Sequence, residues 1–347
     1  MKIHFSDNNK IWPRLNHFVK TLKADGHVVS VSFDIAGGEI PDADIWFVEH
    51  HTHPFICSLP NSGEIIPILN SLKEKFLKFK GKLIFYATDD ESWCSCRGLD
   101  PEILNRVDAW AVFVLHDIGH QCRPLGIENK FVMIPRYTVD YKKYDESIIK
   151  KNRIQFIGVL TGAYRMIGKK NWRAECMLKI DKTPRLKSHF IGGIVGNQVL
   201  EVAQNEEYNK TFQHVVVPRI PHPENERLVE RSTITLCIPG NTIWSYRQPL
   251  AMRSKTAVIT FQNLQKDPGH WLYDNVFGNE FYYVKEDLSD FESVCDYALT
   301  HLKETTERAE AGYELYQKYF SLLPNNTYQD HVWKQVKDNF SSLGVHF

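Results

Sequence analysis

The sequence predicts an α/β protein built as two Rossmann-like domains facing across a cleft. Three observations carry this expectation. Short apolar runs alternate with longer amphipathic stretches, the pattern of strand–helix–strand units that assemble a parallel sheet covered on both faces. The pattern pauses in a polar stretch, Asp140–Asn152, and then restarts. The 347 residues exceed one ordinary core and fit two domains of about 150 residues each. The expected division is 1–147 and 148–325, with 326–347 as a terminal helix crossing back to the first domain.

In the first half, Lys2–Phe5 reads as a strand and Trp12–Ala24 as a helix ending at Gly26. Val28–Phe33 and Ile45–Val48 are the next strands. Ile65–Phe79 has helical spacing of apolar residues and leads to the strand Lys82–Ala87; Ala109–Leu115 and Phe131–Ile134 complete the set. In the second half the strand Ile154–Gly158 is followed by a glycine-containing loop, a helix over Trp172–Ile180 and a strand over His189–Ile191. Thr233–Ile238 is a strand, Thr242–Ser254 a helix, Ala257–Phe261 and Phe281–Val284 strands, and Phe291–Phe320 mainly helical. Tyr313, Tyr316, Tyr319 and Phe320 recur at helical spacing and are expected in the core.

Composition narrows the function. Lys and Arg number 42 and Asp and Glu 42, so net charge is zero, and nucleic acid is not an expected partner. The start, Met1–Asp7, turns polar too soon for a signal peptide, and no apolar run reaches the roughly 18 residues a membrane span needs. The seven cysteines are odd in number and scattered, with Cys57, Cys237 and Cys295 inside apolar runs. Cys94-Ser95-Cys96 is not a zinc spacing, so reduced thiols in a cytoplasmic compartment are expected.

The segment Leu236-Cys237-Ile238-Pro239-Gly240-Asn241-Thr242-Ile243-Trp244-Ser245-Tyr246-Arg247 carries the clearest chemistry. A buried strand runs into a Pro-Gly-Asn turn, and Thr242 is a good N-cap for a following helix. Free backbone N–H groups at that helix end suit a diphosphate, and Arg247, one turn in, adds a charge-assisted bond. On spacing alone, an ordinary strand–turn–helix with Trp244 and Tyr246 as packing residues reads the segment equally well.

Trp244-Ser245-x-Arg247, then Ser254, then Thr256-Ala257-Val258-Ile259, resembles the W-S-x-R…S-G-S-V-V pattern of glycosyltransferase family 90. That family comprises the protein O-glucosyltransferases and capsule xylosyltransferases. Phe156-Ile157-Gly158-Val159-Leu160-Thr161-Gly162 is similar to its F-R-G-x-x-T block, with Arg165 where a phosphate-contacting arginine is expected; Arg173 joins the same donor set. Trp271 and Tyr282-Tyr283-Val284-x-x-Asp287-Leu288-Ser289-Asp290 resemble its H-Y-V-P-V-x-x-D-L-S-D-L segment. The three blocks stand in the family's order and cover most of residues 154–320. Departures are Ile157 for arginine, Lys255 for glycine, and Pro249, which should kink its helix. They leave room for the exostosin-like glycosyltransferases, or for a degenerate nucleotide- or glycan-binding relative.

The resemblance implies the two-domain GT-B fold, UDP-glucose or UDP-xylose as donor, and a catalytic aspartate at a strand end in the first domain. Asp89 matches that aspartate, with Asp90 and Glu91 beside it; the three acids can equally cap a helix or face solvent. His50, His51 and His53 lack the spacing of a helical metal site and are read as acceptor-side or plain loop residues, as are His116, Asp117 and His120. No D-x-D stands at a strand end, since Asp42-Ala43-Asp44 precedes its strand. The expectation is therefore an inverting transferase that needs no metal or other cofactor. Asp89 deprotonates a hydroxyl of a glycan or protein, and Arg165, Arg247 and the Asn241-Thr242 helix end stabilise the leaving diphosphate.

Overall fold

The computed structural model describes residues 1–6, 16–33, 38–49, 65–86, 98–112, 128–134, 143–158, 172–195, 216–218, 220–238, 246–261, 278–321 and 332–347. The chain divides into two compact units: Met1–Thr138 with Thr327–Phe347, and Val139–Asn326.

Unit 1 contains β1 (Lys2–Ser6), α1 (Asn16–Ala24), β2 (Val28–Ser32), β3 (Ile45–Glu49), α2 (Ile65–Ser71), α3 (Lys73–Lys78), β4 (Lys82–Tyr86), α4 (Pro101–Arg106), β5 (Ala109–Val112) and β6 (Phe131–Met133). Its strands pair in parallel in the order β2-β1-β3-β4-β5-β6. All five residues of β3, Ile-Trp-Phe-Val-Glu, are buried, as an interior strand covered on both faces requires. On one face Phe5 stacks on Phe47 at 4.4 Å, and Phe18 of α1 meets Phe47 edge-on at 5.5 Å. On the other, Trp46, Phe85 and Trp110 pack with Phe76 and Phe79.

Unit 2 contains β7 (Lys151–Gly158), α5 (Trp172–Lys182), α6 (Pro184–Ser188), β8 (Phe190–Val195), β9 (Val216–Val217), α7 (His222–Glu230), β10 (Ser232–Leu236), α8 (Arg247–Arg253), β11 (Ala257–Phe261), β12 (Phe281–Val284), α9 (Phe291–Thr300) and α10 (Leu302–Leu315). The strands are again parallel, in the order β12-β11-β10-β7-β8-β9. The core gathers Ile154, Phe156, Trp172, Ile234, Leu236, Ile259 and Phe291, with Trp172 stacked on Phe261 at 4.6 Å. The last helix of the chain, α11 (Lys334–Ser342), lies in unit 1 beside β6; Trp333, just ahead of it, donates to Asp25 at 3.0 Å.

Two helical readings change, and a third, Phe291–Phe320, is mainly helical as expected but interrupted. Ile65–Phe79 is two helices, α2 and α3, broken at Leu72. Phe291–Phe320 breaks at His301 and ends in a π-turn over Tyr316–Phe320. The helix that was to span Thr242–Ser254 is described from Arg247, so Arg247 opens it instead of lying one turn in. Pro249 then falls in the first turn, where backbone N–H groups have no intrahelical partner, and it costs no hydrogen bond. Lys255, standing where the family pattern has glycine, takes a left-handed φ of 46°.

No helix among the described residues is long and apolar enough to cross a membrane. Cys176, Cys237 and Cys295 are buried free thiols, and burial pushes Cys237 up to about 12.

Candidate functional site

In each sheet the winding reverses at the first strand: β1 lies between β2 and β3, and β7 between β8 and β10. Open α/β sheets bind ligands beyond the carboxyl ends of their strands at such a reversal. In unit 2 that point is where Gly158 closes β7 and Leu236 closes β10.

Two cationic side chains converge there. The Nη2 of Arg247 donates to the carbonyl oxygen of Ile157, and its guanidinium carbon stands 4.9 Å from the centre of the Phe156 ring. Arg173, in the first turn of α5, brings its guanidinium to 5.9 Å from the same ring. The ring's negative face attracts both cations. Arg173 is only 5% exposed. Burial pulls its pKa well below the ordinary arginine range, and the positive charge of Arg247 pulls it further. Two like charges in so dry a setting raise the local potential, and an anion beside them relieves both.

Backbone geometry leaves little slack. A Cβ on Gly158 would stand 2.7 Å from Nη2 of Arg247 and 2.7 Å from the edge of the Phe156 ring. Gly192 on β8, at φ +111°, would overlap the Phe156 carbonyl if it carried a side chain. Glycine at both positions lets β7 and β8 close under the two arginines.

Tyr246 directly precedes α8. Its hydroxyl donates to Oε1 of Glu226 on α7 at 2.7 Å, and the same oxygen is 3.2 Å from Nη2 of Arg253 and 3.4 Å from Nδ1 of His222. Burial alone would raise the Glu226 pKa, but the Tyr246 hydroxyl, Arg253 and His222 outweigh it and hold it below the usual range. Burial, then Glu226, pushes the Tyr246 hydroxyl well up.

Of the predicted donor residues, the structure brings Gly158, Arg173 and Arg247 together around Phe156 and sets Tyr246 at the start of α8. Thr161, Gly162, Arg165, Gly240, Asn241, Thr242, Trp244 and Ser245 lie outside the described residues, as do Asp89, Asp90, Glu91, His50, His51, His53, His116, Asp117 and His120. The strands leading to the acids and to the first histidines are described: β4 ends at Tyr86 and β3 at Glu49, and these two residues pair in register. Glu49 is a carboxylate only 1% exposed. Sequence reading passed over both Glu49 and Glu226. The one directly follows the apolar run Ile45–Val48 and reads as the end of its strand, and the other stands in a polar stretch whose periodicity singles out no residue.

Among the described residues, no group of three or more His, Cys, Asp and Glu side chains is placed to hold a metal ion. A cavity of about 260 Å³, bounded by Tyr144, Lys150, Lys255 and Glu310, opens in unit 2. It lies at the amino-terminal edge of the sheet, away from Arg247, since Lys150 precedes β7 and Lys255 precedes β11.

No protein-family model matches the chain, and no curated protein matches it in sequence. Its fold is matched among solved structures. The catalytic domain of starch synthase IV from Arabidopsis thaliana, solved with ADP and acarbose, is 10% identical, with 99% of each chain covered and a TM-score of 0.55. WaaG, a glycosyltransferase involved in lipopolysaccharide biosynthesis, is 15% identical, covering 97% of this chain and 99% of its own, at 0.53. TarM is 12% identical, covering 85% of this chain at 0.51; the chain spans about half of TarM, 54% of its length. The chain therefore has the two parallel-sheet α/β domains of GT-B glycosyltransferases.

Proposed function

We propose that this chain is a glycosyltransferase that moves a sugar from a nucleoside diphosphate sugar onto a hydroxyl of a glycan or protein. The observation that carries the reading is the convergence of Arg173 and Arg247 on Phe156 at the β7–β10 reversal, the place and charge a diphosphate calls for. The fold shared with WaaG, and with starch synthase IV bound to ADP, supports it.

As the glycosidic bond breaks, the departing diphosphate gains negative charge. Arg247 is proposed to contact it, and Arg173, buried beside the same Phe156 ring, to deepen the positive potential there. Two cations so placed supply the charge a divalent ion supplies elsewhere, so the transfer is proposed to need no metal. Unit 1 is proposed to bind the acceptor, with Asp89 taking the proton of the attacking hydroxyl in a single inverting step. UDP as the nucleotide and glucose or xylose as the sugar rest on the resemblance to family 90.

Calorimetric titration with UDP, ADP and GDP, and with their sugars, tests the reading. The expected result is binding of one diphosphate and hydrolysis or transfer of its sugar, both surviving EDTA. Failure to bind any of them would remove the donor site. Loss of activity on chelation, restored by manganese, would overturn the metal-free mechanism.

A further inference from the structure

We infer that Glu226 is a positioning residue of the anion site: it sets the rotation of α8, and through it the reach of Arg247. The inference rests on the donor-site reading above and adds to it a residue on α7.

The need for such a residue follows from α8 itself. The helix has seven residues, carries no acidic side chain in its first turn, and its N-cap residue Tyr246 forms no side-chain capping bond. Helices this short are marginal by themselves, so tertiary contacts must hold them. Gln248, Pro249, Leu250, Ala251 and Met252 are all buried, which fixes the helix against the unit. Apolar burial is itself non-directional, so polar contacts at the two ends of the helix add direction to that packing. Rotation matters here because Arg247 must reach β7 while the positive charge of Arg173 pushes back.

Glu226 supplies that direction. Its Oε1 accepts the Tyr246 hydroxyl at 2.7 Å and stands 3.2 Å from Nη2 of Arg253. Tyr246 is the residue before the helix and Arg253 its last, so one carboxylate oxygen ties both ends of α8 to α7. The His222 ring lies 5.1 Å from the Tyr246 ring and closes the side of the network on α7. The carboxylate is about a quarter exposed and Arg253 about a tenth, so the ion pair is largely shielded from solvent. Glu226 therefore acts on the anion through Tyr246 and α8.

The test is calorimetric titration of the full chain with UDP, and with inorganic pyrophosphate, using wild type, Glu226→Gln, Tyr246→Phe, the double variant and Arg247→Ala. Glu226→Gln and Tyr246→Phe should each weaken binding by about five- to tenfold, the scale of one charge-assisted hydrogen bond. In the double variant the losses should fail to add fully, because both substitutions disturb the same Tyr246–Glu226 contact. A residue that serves only global stability would lower the melting temperature without this coupling. Wild-type affinity in Tyr246→Phe, or fully additive losses, would overturn the inference; Tyr246→Phe decides it alone if Glu226→Gln does not fold. Failure of the donor-site reading looks different: wild type would bind neither probe, or Arg247→Ala would bind as tightly as wild type.

Discussion

Gly158 and Arg247 occupy each other's space: a single Cβ on Gly158 would lie 2.7 Å from Nη2 of Arg247. The end of β7 and the head of α8 are thereby fitted to one another across a long stretch of sequence. Gly158→Ala should push the guanidinium off the Ile157 carbonyl, at about 1–3 kcal/mol for overpacking. UDP affinity should fall in this variant alongside melting temperature. Arg247→Ala should lose about 1.5–3 kcal/mol of UDP binding with the fold intact. Unchanged affinity in both would move the diphosphate elsewhere.

Asp89→Asn is expected to stop transfer while UDP binding stays near normal. A positioned base contributes about 10²–10⁴-fold, so the loss belongs in turnover. Asp90→Asn and Glu91→Gln are the controls, since the three acids are adjacent. If Asp90→Asn alone loses turnover, the register is off by one; if none of the three does, His50, His51 and His53 are next.

Lys255 holds a left-handed backbone, which costs a residue with a Cβ about 1 kcal/mol. Its ammonium sits 2.7 Å from Glu146 and 3.0 Å from Glu310, and 5.2 and 5.3 Å from the centres of the Tyr144 and Tyr313 rings. Lys255→Gly removes the strain together with the contacts and should stay near wild-type stability. Lys255→Ala keeps the strain, loses the contacts, and should unfold earlier by about 1 kcal/mol relative to the glycine variant. Denaturant titrations in the reverse order would show that the turn is unstrained.

Lys150 ties three strand starts together. Its Nζ donates to the carbonyls of Glu230 and Ser254 and to Oγ1 of Thr256, each at 2.8 Å, with the Ser232 carbonyl at 3.2 Å. Burial pulls its pKa from 10.5 to about 7, with the positive charge of Lys255 adding to the fall and the negative charges of Glu230 and Glu310 opposing it. The folded pKa is thus below the unfolded one. Between about 7 and 10.5 the unfolded chain binds the extra proton, and stability from this residue rises with pH. The stability difference between wild type and Lys150→Met should grow from pH 7 to pH 10. A flat difference would mean the acceptors keep the ammonium charged throughout.

Much of the fold was legible because its signal is local. Continuous apolar runs such as Ile45–Val48 and Ala257–Ile259 mark strands buried on both faces, and the helical stretches between them imply parallel sheets. Fine boundaries were not legible. Pro249 suggested a kink because its helix was expected to start at Thr242, whereas in a helix opening at Arg247 the same proline lies among N–H groups that have no partner anyway.

For the site, the sequence by itself determined which residues bear charge and that glycines stand at 158 and 192. It also placed Arg247 after a strand that ends at the carboxyl edge of a parallel sheet. Tertiary structure alone decided that Arg173 and Arg247 share the ring of Phe156, that Glu226 holds Tyr246, and that Lys255 turns left-handed between two carboxylates. The physical reason is range. Apolar periodicity is set by neighbours a few residues apart, while these meetings depend on strand order and register, which bring β7, α5, α7 and α8 together from positions far apart in the chain.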